Sequence, residues 1–251
     1  MDRSLTPFIL VVGGLLWTST AQAQTADEVV EKHLAAIGGR AVLAKATSQV
    51  ATGAAVVSTQ GIDLSGPVEI YRKAPNKSRS FVRLDLSAVG GTELTVEQRF
   101  DGKTGFVSNS MQGDREITGE QLQAMLNNTF PSSLLNYKEA GGKIELVGTD
   151  KVGDRGVHVL LYAPKAGPAS RLFIDAETFD VLRTVTKLNV PEAGGDVEQT
   201  IDVGDFRTVS GIRLPFRVTT VSTTQTVSIT LAKIEINAAV DDAMFARPGI
   251  K

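Results

Sequence analysis

The sequence predicts a mainly β domain of the α+β class, built as one curled antiparallel sheet of about ten or eleven strands. Alternating apolar and polar residues recur over most of the chain after residue 47, which is typical of strands that bury one face. Turn-forming residues separate these runs at intervals of about 8 to 12 residues. Apolar residues three or four positions apart, as in a helix, occur only at the beginning of the domain and in one insert. Because strand follows strand directly, an antiparallel sheet is favoured over βαβ units.

The first 23 residues have the features of a signal peptide. Arg3 precedes an apolar run from Pro7 to Trp17, and Ala21-Gln22-Ala23 supplies a cleavage site. We therefore expect residues 1–23 to be removed and residues 24–251 to form a single domain of an exported protein, periplasmic or secreted. An uncleaved membrane anchor is the alternative, although the apolar run is shorter than the ~20 residues that span a bilayer.

Composition excludes several classes of function. The chain has no cysteine, so it has neither disulfides nor thiolate metal sites. A net charge of −2 argues against a nucleic-acid partner, which usually requires a basic surface. Aromatic residues make up only 6% of the chain, too few to form the stacking surface that single-stranded nucleic acids need.

A helix is predicted at the start of the domain. Thr25 and Glu28 have the spacing of a capping box, and an apolar stripe of Val30, Leu34 and Ile37 follows. Gly38-Gly39 ends this helix, since glycine readily adopts a left-handed conformation. A shorter second helix is plausible over residues 40–46.

The strand pattern is clearest between Thr200 and Val221. Two alternating runs there flank Val209-Ser210-Gly211, which predicts a hairpin with a glycine-containing turn and a bulge. Further on, the apolar positions change parity near Ala232-Lys233, so a bulge or strand break is needed there. The remaining strands are predicted over residues 49–57, 62–73, 80–86, 93–100, 105–110, 143–147, 157–163, 171–175, 181–190 and 227–236. Strand 157–163 is apolar on both faces, which predicts a central strand that is covered on both sides.

One helical insert interrupts the strands. Thr118 and Gln121 are spaced as a second capping box, Pro131 ends the helix, and the apolar run through Tyr137 predicts a broken helix. The insert either caps the sheet or forms a movable lid over an apolar cavity, and the same residues serve both interpretations. The candidate ligand-binding residues are Leu122, Met125, Leu126, Phe130, Leu134 and Leu135.

Catalytic and metal-binding patterns are weak. His33 and His158 lack the spacing of a metal motif, and G-x-S-x-G is absent. The carboxylates at 175, 177 and 180, and at 241 and 242, lie where turns are expected, so turn formation explains them better than a glycosidase or calcium site. We expect no catalytic residue, metal or cofactor.

Several segments together resemble the exported bacterial LolA/LolB-like superfamily, the outer-membrane lipoprotein-sorting proteins, in an uncharacterised branch. The segments are the first helix ending in IGG, then KAPNKSRSF, RFDGKTGFVS, FPSSLLNY, LFIDAETFDVLR, DVGDFRTVSGIRLPF and INAAVDDAMFARP. The resemblance implies an unclosed β-barrel with a helical lid and an apolar interior that holds acyl chains. Carriers of this superfamily use an interior arginine to help hold the lid, and no arginine of this chain is assigned that role from the sequence. The chain is also longer than the compact carriers.

These observations predict a non-catalytic periplasmic carrier or binding protein for lipid or lipoprotein acyl chains, held in an apolar cavity under the lid. The alternative is a protein-interaction or envelope-stress sensing module with a solid barrel and an envelope protein partner. A carboxylate-dependent hydrolase is a third hypothesis, which requires Asp175 or Glu177 to lie in a cleft near a second acid. Neither nucleic-acid binding nor integral membrane insertion is expected.

Overall fold

The computed structural model describes residues 24–190 and 194–247, so the predicted leader, residues 1–23, lies outside the described residues. In this part of the chain thirteen strands form one antiparallel sheet. The strands are β1 (Ser48–Thr59), β2 (Ile62–Lys73), β3 (Lys77–Asp85), β4 (Glu93–Phe100), β5 (Gly105–Asn109), β6 (Gly113–Ile117), β7 (Lys143–Val152), β8 (Arg155–Ala163), β9 (Ser170–Asp175), β10 (Val181–Val190), β11 (Gly195–Val209), β12 (Ile212–Val221) and β13 (Thr226–Ile236). The helices are α1 (Ala26–Ala36), α2 (Arg40–Leu43) and α3 (Gly119–Asn127), with 3₁₀ turns at Ser87–Val89 and Asp242–Phe245.

The order of strands leaves the sheet open. It runs β6-β5-β4-β3-β2-β1-β13-β12-β11-β10-β9-β8-β7, so β6 and β7 are the two edges and do not pair with each other. These edge strands are neighbours in the chain, joined only by the insert that contains α3. The predicted unclosed, curled antiparallel sheet with an inserted helix is therefore confirmed.

Helix α1 begins with the predicted capping box. The backbone N–H of Glu28 donates to the Thr25 hydroxyl at 3.2 Å, and the Thr25 N–H donates to the Glu28 carboxylate at 2.9 Å. The apolar side of the helix is buried against one half of the sheet, where it forms the largest core cluster. The buried members of this cluster are Val29, Val30, Leu34, Leu43, Ala46, Phe130, Leu134, Tyr137, Leu160, Leu172, Ile174 and Ile212.

The hairpin from Thr200 to Val221 is present as β11 and β12. Val209 pairs directly with Ile212, and the two turn residues between them, Ser210 and Gly211, have φ of 52° and 80°. Two residues with positive φ match the twist of the flanking strands, so the turn needs no adjacent bulge. The expected parity change on β13 is also present, because the pairing of β1 with β13 shifts register at Thr52 and Gly53, opposite Ala232.

Besides the bulge predicted at the hairpin, which is absent, three local features differ from the predictions. Strand β6 was not predicted, because its sequence GDREI has almost no apolar alternation and four of its five residues are exposed. Strand β8 was predicted to be central, but it lies next to edge strand β7. It is covered on both faces as predicted, since Val157 and Leu160 belong to separate clusters on opposite faces. Thr118 precedes α3 without forming a side-chain cap, so the second capping box is absent.

Candidate functional site

Helix α3 lies across the open side of the sheet. It follows edge strand β6, packs against β10, and leads through residues 128–142 to edge strand β7. Because the insert spans from one edge to the other, α3 and the inner face of the sheet enclose a space between them. Residues 118–129, with α3, are called the lid half of the insert, and residues 130–142 the anchor half.

Polar contacts hold the lid half in place. The Glu120 carboxylate accepts a hydrogen bond from the Asn189 backbone at 2.6 Å, and Asn127 Nδ2 donates to the Ala166 carbonyl at 2.8 Å. Gln98 Nε2 lies 3.4 Å from the Met125 sulfur. No residue of α3 is fully buried. The lid half is therefore attached by a few contacts rather than by core packing.

Two adjoining open spaces lie beneath α3, together called the cavity. One has a volume of about 320 Å³ and the other about 220 Å³, and Ala124, Leu188 and Gln199 line both. The larger is also lined by Asn127, Asn128, Ser133, Tyr162, Pro164, Pro168, Ser170, Leu172, Thr184, Thr186 and Ile201. The smaller is also lined by Gln98, Val107, Arg115, Ile117, Gln121 and Met125.

The lining of the cavity mixes apolar and neutral polar side chains with one charged side chain, Arg115. Gln98, Val107 and Arg115 lie opposite one another on β4, β5 and β6, so they share the inner face. Apolar Leu188 and polar Thr186 lie in the same space. The interior thus departs from the wholly apolar lining implied by the family resemblance, and it is suited to a ligand with both an apolar and a polar part.

The six candidate ligand-binding residues fall into two groups. Leu122, Met125 and Leu126 lie on α3 and are partly buried. In the anchor half, Phe130 and Leu134 are only 7% and 3% exposed and belong to the core cluster with α1; Leu135 packs against that cluster. Of the six, only Met125 is among the residues that line the cavity. Residues 128–142 form turns, and the predicted continuation of the helix is absent.

The anchor half is fixed to α1 and α2. Tyr137 donates a hydrogen bond from its hydroxyl to Asp27, which also pairs with Lys138 at 2.7 Å. Burial, together with that carboxylate, raises the pKa of Tyr137 to about 12. Arg40 Nη1 donates to the Leu135 carbonyl at 2.7 Å. These contacts join the anchor half to the N-terminal helices, whereas the lid half lacks such attachment to them.

Arg72 is a site residue that was not predicted from the sequence. It lies on the inner face of β2, and its Nη2 donates to Asn128 Oδ1 at 2.8 Å while the guanidinium lies 5.9 Å from the centre of the Phe130 ring. Burial lowers the pKa of Arg72. Its position on the inner face could have been predicted from the sequence, because Arg72 has the same parity on β2 as the apolar residues Val68 and Ile70.

The carboxylates of the turn between β9 and β10 have structural roles. Asp180 is fully buried and makes a bidentate ion pair with Arg213, both distances being 2.9 Å. Asp175, 2% exposed, pairs with Arg155 and accepts hydrogen bonds from the turn backbone. Burial alone would raise the pKa of Asp175, but the bonds from Thr178 and Glu177 together with Arg155 lower it. Both buried acids are therefore held by an arginine, and Glu177 is exposed.

The two histidines and Asp242 have partners other than a metal ion in the part of the chain that the structure describes. His33 is buried in α1 and donates from Nδ1 to the Phe179 carbonyl at 2.8 Å, and His158 stacks on the Phe179 ring. Asp242 pairs with Lys73 and Lys77, and these lysines lower its pKa to about 2. Within residues 24–190 and 194–247, no cluster of three His, Asp or Glu side chains is arranged to hold a metal ion. None of the helices in these ranges is long and apolar enough to cross a membrane.

Comparison with known proteins gives matches at the level of structure. Neither protein-family models nor curated protein sequences match the chain. A LolA superfamily protein from Nitrosomonas europaea is 12% identical, with a TM-score of 0.54 over 90% of this chain and 99% of that chain. A DUF1329 family protein from Desulfovibrio piger is 13% identical, with a TM-score of 0.56 over 88% and 97% of the two chains. An outer-membrane lipoprotein-sorting protein domain from Vibrio parahaemolyticus is 9% identical, with a TM-score of 0.52 over 87% and 94%. The likeness expected from the sequence is thus confirmed for the fold.

Proposed function

We propose, on the premise that the chain has a LolA-like fold, that this protein is an exported, non-catalytic carrier or binding protein for lipids or lipoprotein acyl groups. The observation that carries the proposal is the open cavity between α3 and the inner face of the sheet. Its larger part, at about 320 Å³, falls within the roughly 300–1,000 Å³ of small-molecule sites. The solved proteins of similar fold include one described as a lipoprotein-sorting domain, which supports a lipoprotein acyl group as the class of ligand.

An acyl chain would enter when the lid half moves. The contacts that must break are hydrogen bonds of single side chains, such as those of Asn127 and Gln98. Their cost is small, because the net contribution of one such bond is about 1 kcal/mol. Burial of the chain contributes about 0.8 kcal/mol per CH₂, so a long chain recovers the cost of opening. Met125, which lines the cavity, would then cover the ligand, and Leu122 and Leu126 flank it on α3, while Phe130, Leu134 and Leu135 keep the anchor half in or against the core.

The hollow space favours this function over an interaction module with a solid barrel. In such a module the side chains of the insert would fill the interior, whereas Met125 and Ala124 border open volume. The commitment of Asp175 and Asp180 to arginines removes the acid pair that a hydrolase at this turn would require.

Ligand analysis of the native protein tests the proposal. The full-length protein is expressed with its leader, purified from the periplasm, and extracted for lipid mass spectrometry, with an unrelated exported protein as the control. We expect co-purified lipid, saturable binding of a fluorescent fatty acid, and a mature chain that begins at Gln24. A protein free of lipid that also fails to bind the fatty acid would contradict the carrier function.

A further inference from the structure

The cavity has an unequal distribution of charge. None of the residues that line it is Asp or Glu, although the chain has 28 acidic residues against 26 Lys and Arg. Arg115 lines the smaller space, and Arg72 contacts Asn128, which lines the larger. The lining of the cavity therefore contains one cation, Arg115, together with neutral dipoles and no carboxylate, and Arg72 lies next to the lining residue Asn128.

Arg72 differs from most other arginines of the sheet in having a neutral partner. Arg79, Arg155, Arg183 and Arg213 each pair with a carboxylate. Among the described residues, Arg72 has no carboxylate within 4.0 Å, and its one side-chain hydrogen bond is to the Asn128 amide. Asn128 belongs to the lid half, so this bond breaks if the lid half moves.

A partly buried guanidinium without a counter-ion favours the binding of an anion. The Asn128 amide oxygen and the Phe130 ring compensate only part of its desolvation, because neither carries the full negative charge of an anion. Arginine also presents paired N–H donors that match the two oxygens of a carboxylate or phosphate. An anion that enters the cavity would therefore displace Asn128 from Arg72.

We propose that the ligand of the cavity is an amphiphile with an anionic headgroup, a carboxylate or a phosphate, whose head pairs with Arg72 while its chain lies beneath α3. This rests on the proposed function and narrows the ligand from lipids in general to anionic ones. Arg115, exposed on edge strand β6 and 3.4 Å from Gln121, extends the positive surface to the mouth of the cavity.

Three ligands of equal chain length test the headgroup. Hexadecanoic acid, a 16-carbon lysophosphatidic acid and hexadecanol are titrated against the full-length protein by competition with a fluorescent probe. We expect at least one of the acids to bind about tenfold or more tightly than the alcohol, as a charge-assisted hydrogen bond implies. The tighter of the two acids then identifies the headgroup as a carboxylate or a phosphate.

Variants separate anion binding from a merely structural role of Arg72. R72Q should lose the preference for the acid and still bind the alcohol, whereas R72K should keep part of the preference because it keeps the charge. N128A removes only the neutral acceptor and should leave the preference unchanged or larger. If Arg72 serves only to hold Asn128, N128A will instead behave like R72Q. R217Q, an exposed arginine on β12, is the matched control.

The outcomes against the proposal are distinct. Equal binding of all three ligands by the wild-type protein, or an acid preference that persists in R72Q, overturns the anionic headgroup and leaves the carrier function standing. Failure of all three to bind, the alcohol included, overturns the carrier function and this inference with it. Circular dichroism and thermal unfolding of R72Q and R72K verify that each variant is folded.

Discussion

Tyr137, in the anchor half of the insert, donates its hydroxyl hydrogen bond to Asp27 in the first turn of α1. The two residues are 110 positions apart in the chain, so the contact fixes the anchor half to the N-terminal helix. The lid half, which precedes it, makes contacts to strand ends and loops instead. The insert therefore has one part that belongs to the core and one part that is attached mainly by polar contacts at the surface.

Removal of the Tyr137 hydroxyl should weaken this attachment. For Y137F we expect the free energy of unfolding to fall by about 1.5 kcal/mol, the low end for a hydrogen bond to a charged group, because the Asp27 carboxylate is 58% exposed. Urea unfolding measures the change. In a spectrophotometric titration, the tyrosine transition absent from Y137F should be the one near pH 12. Y71F is the control for the titration, because it removes the Tyr71 hydroxyl, which contacts Glu69 on the other face of the sheet.

The two groups of candidate residues should respond differently to truncation. F130A and L134A remove buried core side chains, so each should cost about 2–5 kcal/mol of stability. L122A and M125A, on the partly buried helix, should cost less than about 1.5 kcal/mol, and M125A should in addition weaken acyl-chain binding because Met125 lines the cavity. Unfolding and ligand titration on the same four variants test this. Equal losses of stability in both groups would show that α3 is part of the core.

A disulfide between α3 and the β8–β9 loop should block the entry of a ligand. A Cβ placed at Gly167 would lie 2.7 Å from Gln123 Cβ, so the loop must move away from α3 by about 1 Å to reach the roughly 3.5–4.5 Å separation of disulfide-bonded Cβ atoms. Because the chain has no cysteine, Q123C/G167C forms a single defined bridge. We expect the oxidised protein to bind acyl chains much more slowly than the same protein after reduction.

Each single cysteine variant controls for the substitution, including the strain of a side chain at Gly167, where φ is 93°. Association rates that are the same before and after reduction would mean that ligands enter without movement of α3.

Protonation of His33 should make the protein less stable in mild acid. Burial lowers its pKa below the ordinary 6.5, against the opposing effects of the Phe179 carbonyl and Asp180. Since the unfolded chain binds the proton more readily, this contribution to stability is complete above about pH 6.5 and is lost as the pH falls toward the folded-state pKa.

H33N keeps a donor near the Phe179 carbonyl but cannot be protonated. Between pH 7 and 5 the wild-type protein should lose stability relative to H33N, as followed by urea unfolding at each pH. Parallel curves for the two proteins would contradict a buried, neutral His33.

Several patterns with a local physical cause were predicted correctly from the sequence, although the capping box at Thr118 was not. The Thr25–Glu28 capping box depends on residues three apart, and the parity change near Ala232 is visible because a strand cannot change faces without a bulge. Strand β6 could not be predicted, since an exposed edge strand needs no apolar alternation.

The features that define the site depend on contacts distant in sequence. Phe130 and Leu134 have the same apolar character as Leu126, yet only α1, about 100 residues earlier in the chain, decides that they are buried. The inner-face position of Arg72 follows from its parity on β2, whereas its hydrogen bond to Asn128, 56 positions later in the chain, is not visible in the sequence.

Filling the cavity tests the central claim most directly. Ala124 lies on α3 and lines both parts of the cavity, so A124W places an indole where the acyl chain would lie. A88W places the same side chain on the exposed turn between β3 and β4 as the control. In a titration with a fluorescent fatty acid, we predict that A88W binds like the wild-type protein and that A124W loses binding by about tenfold or more while remaining folded. Equal binding by both variants would contradict a ligand site beneath α3.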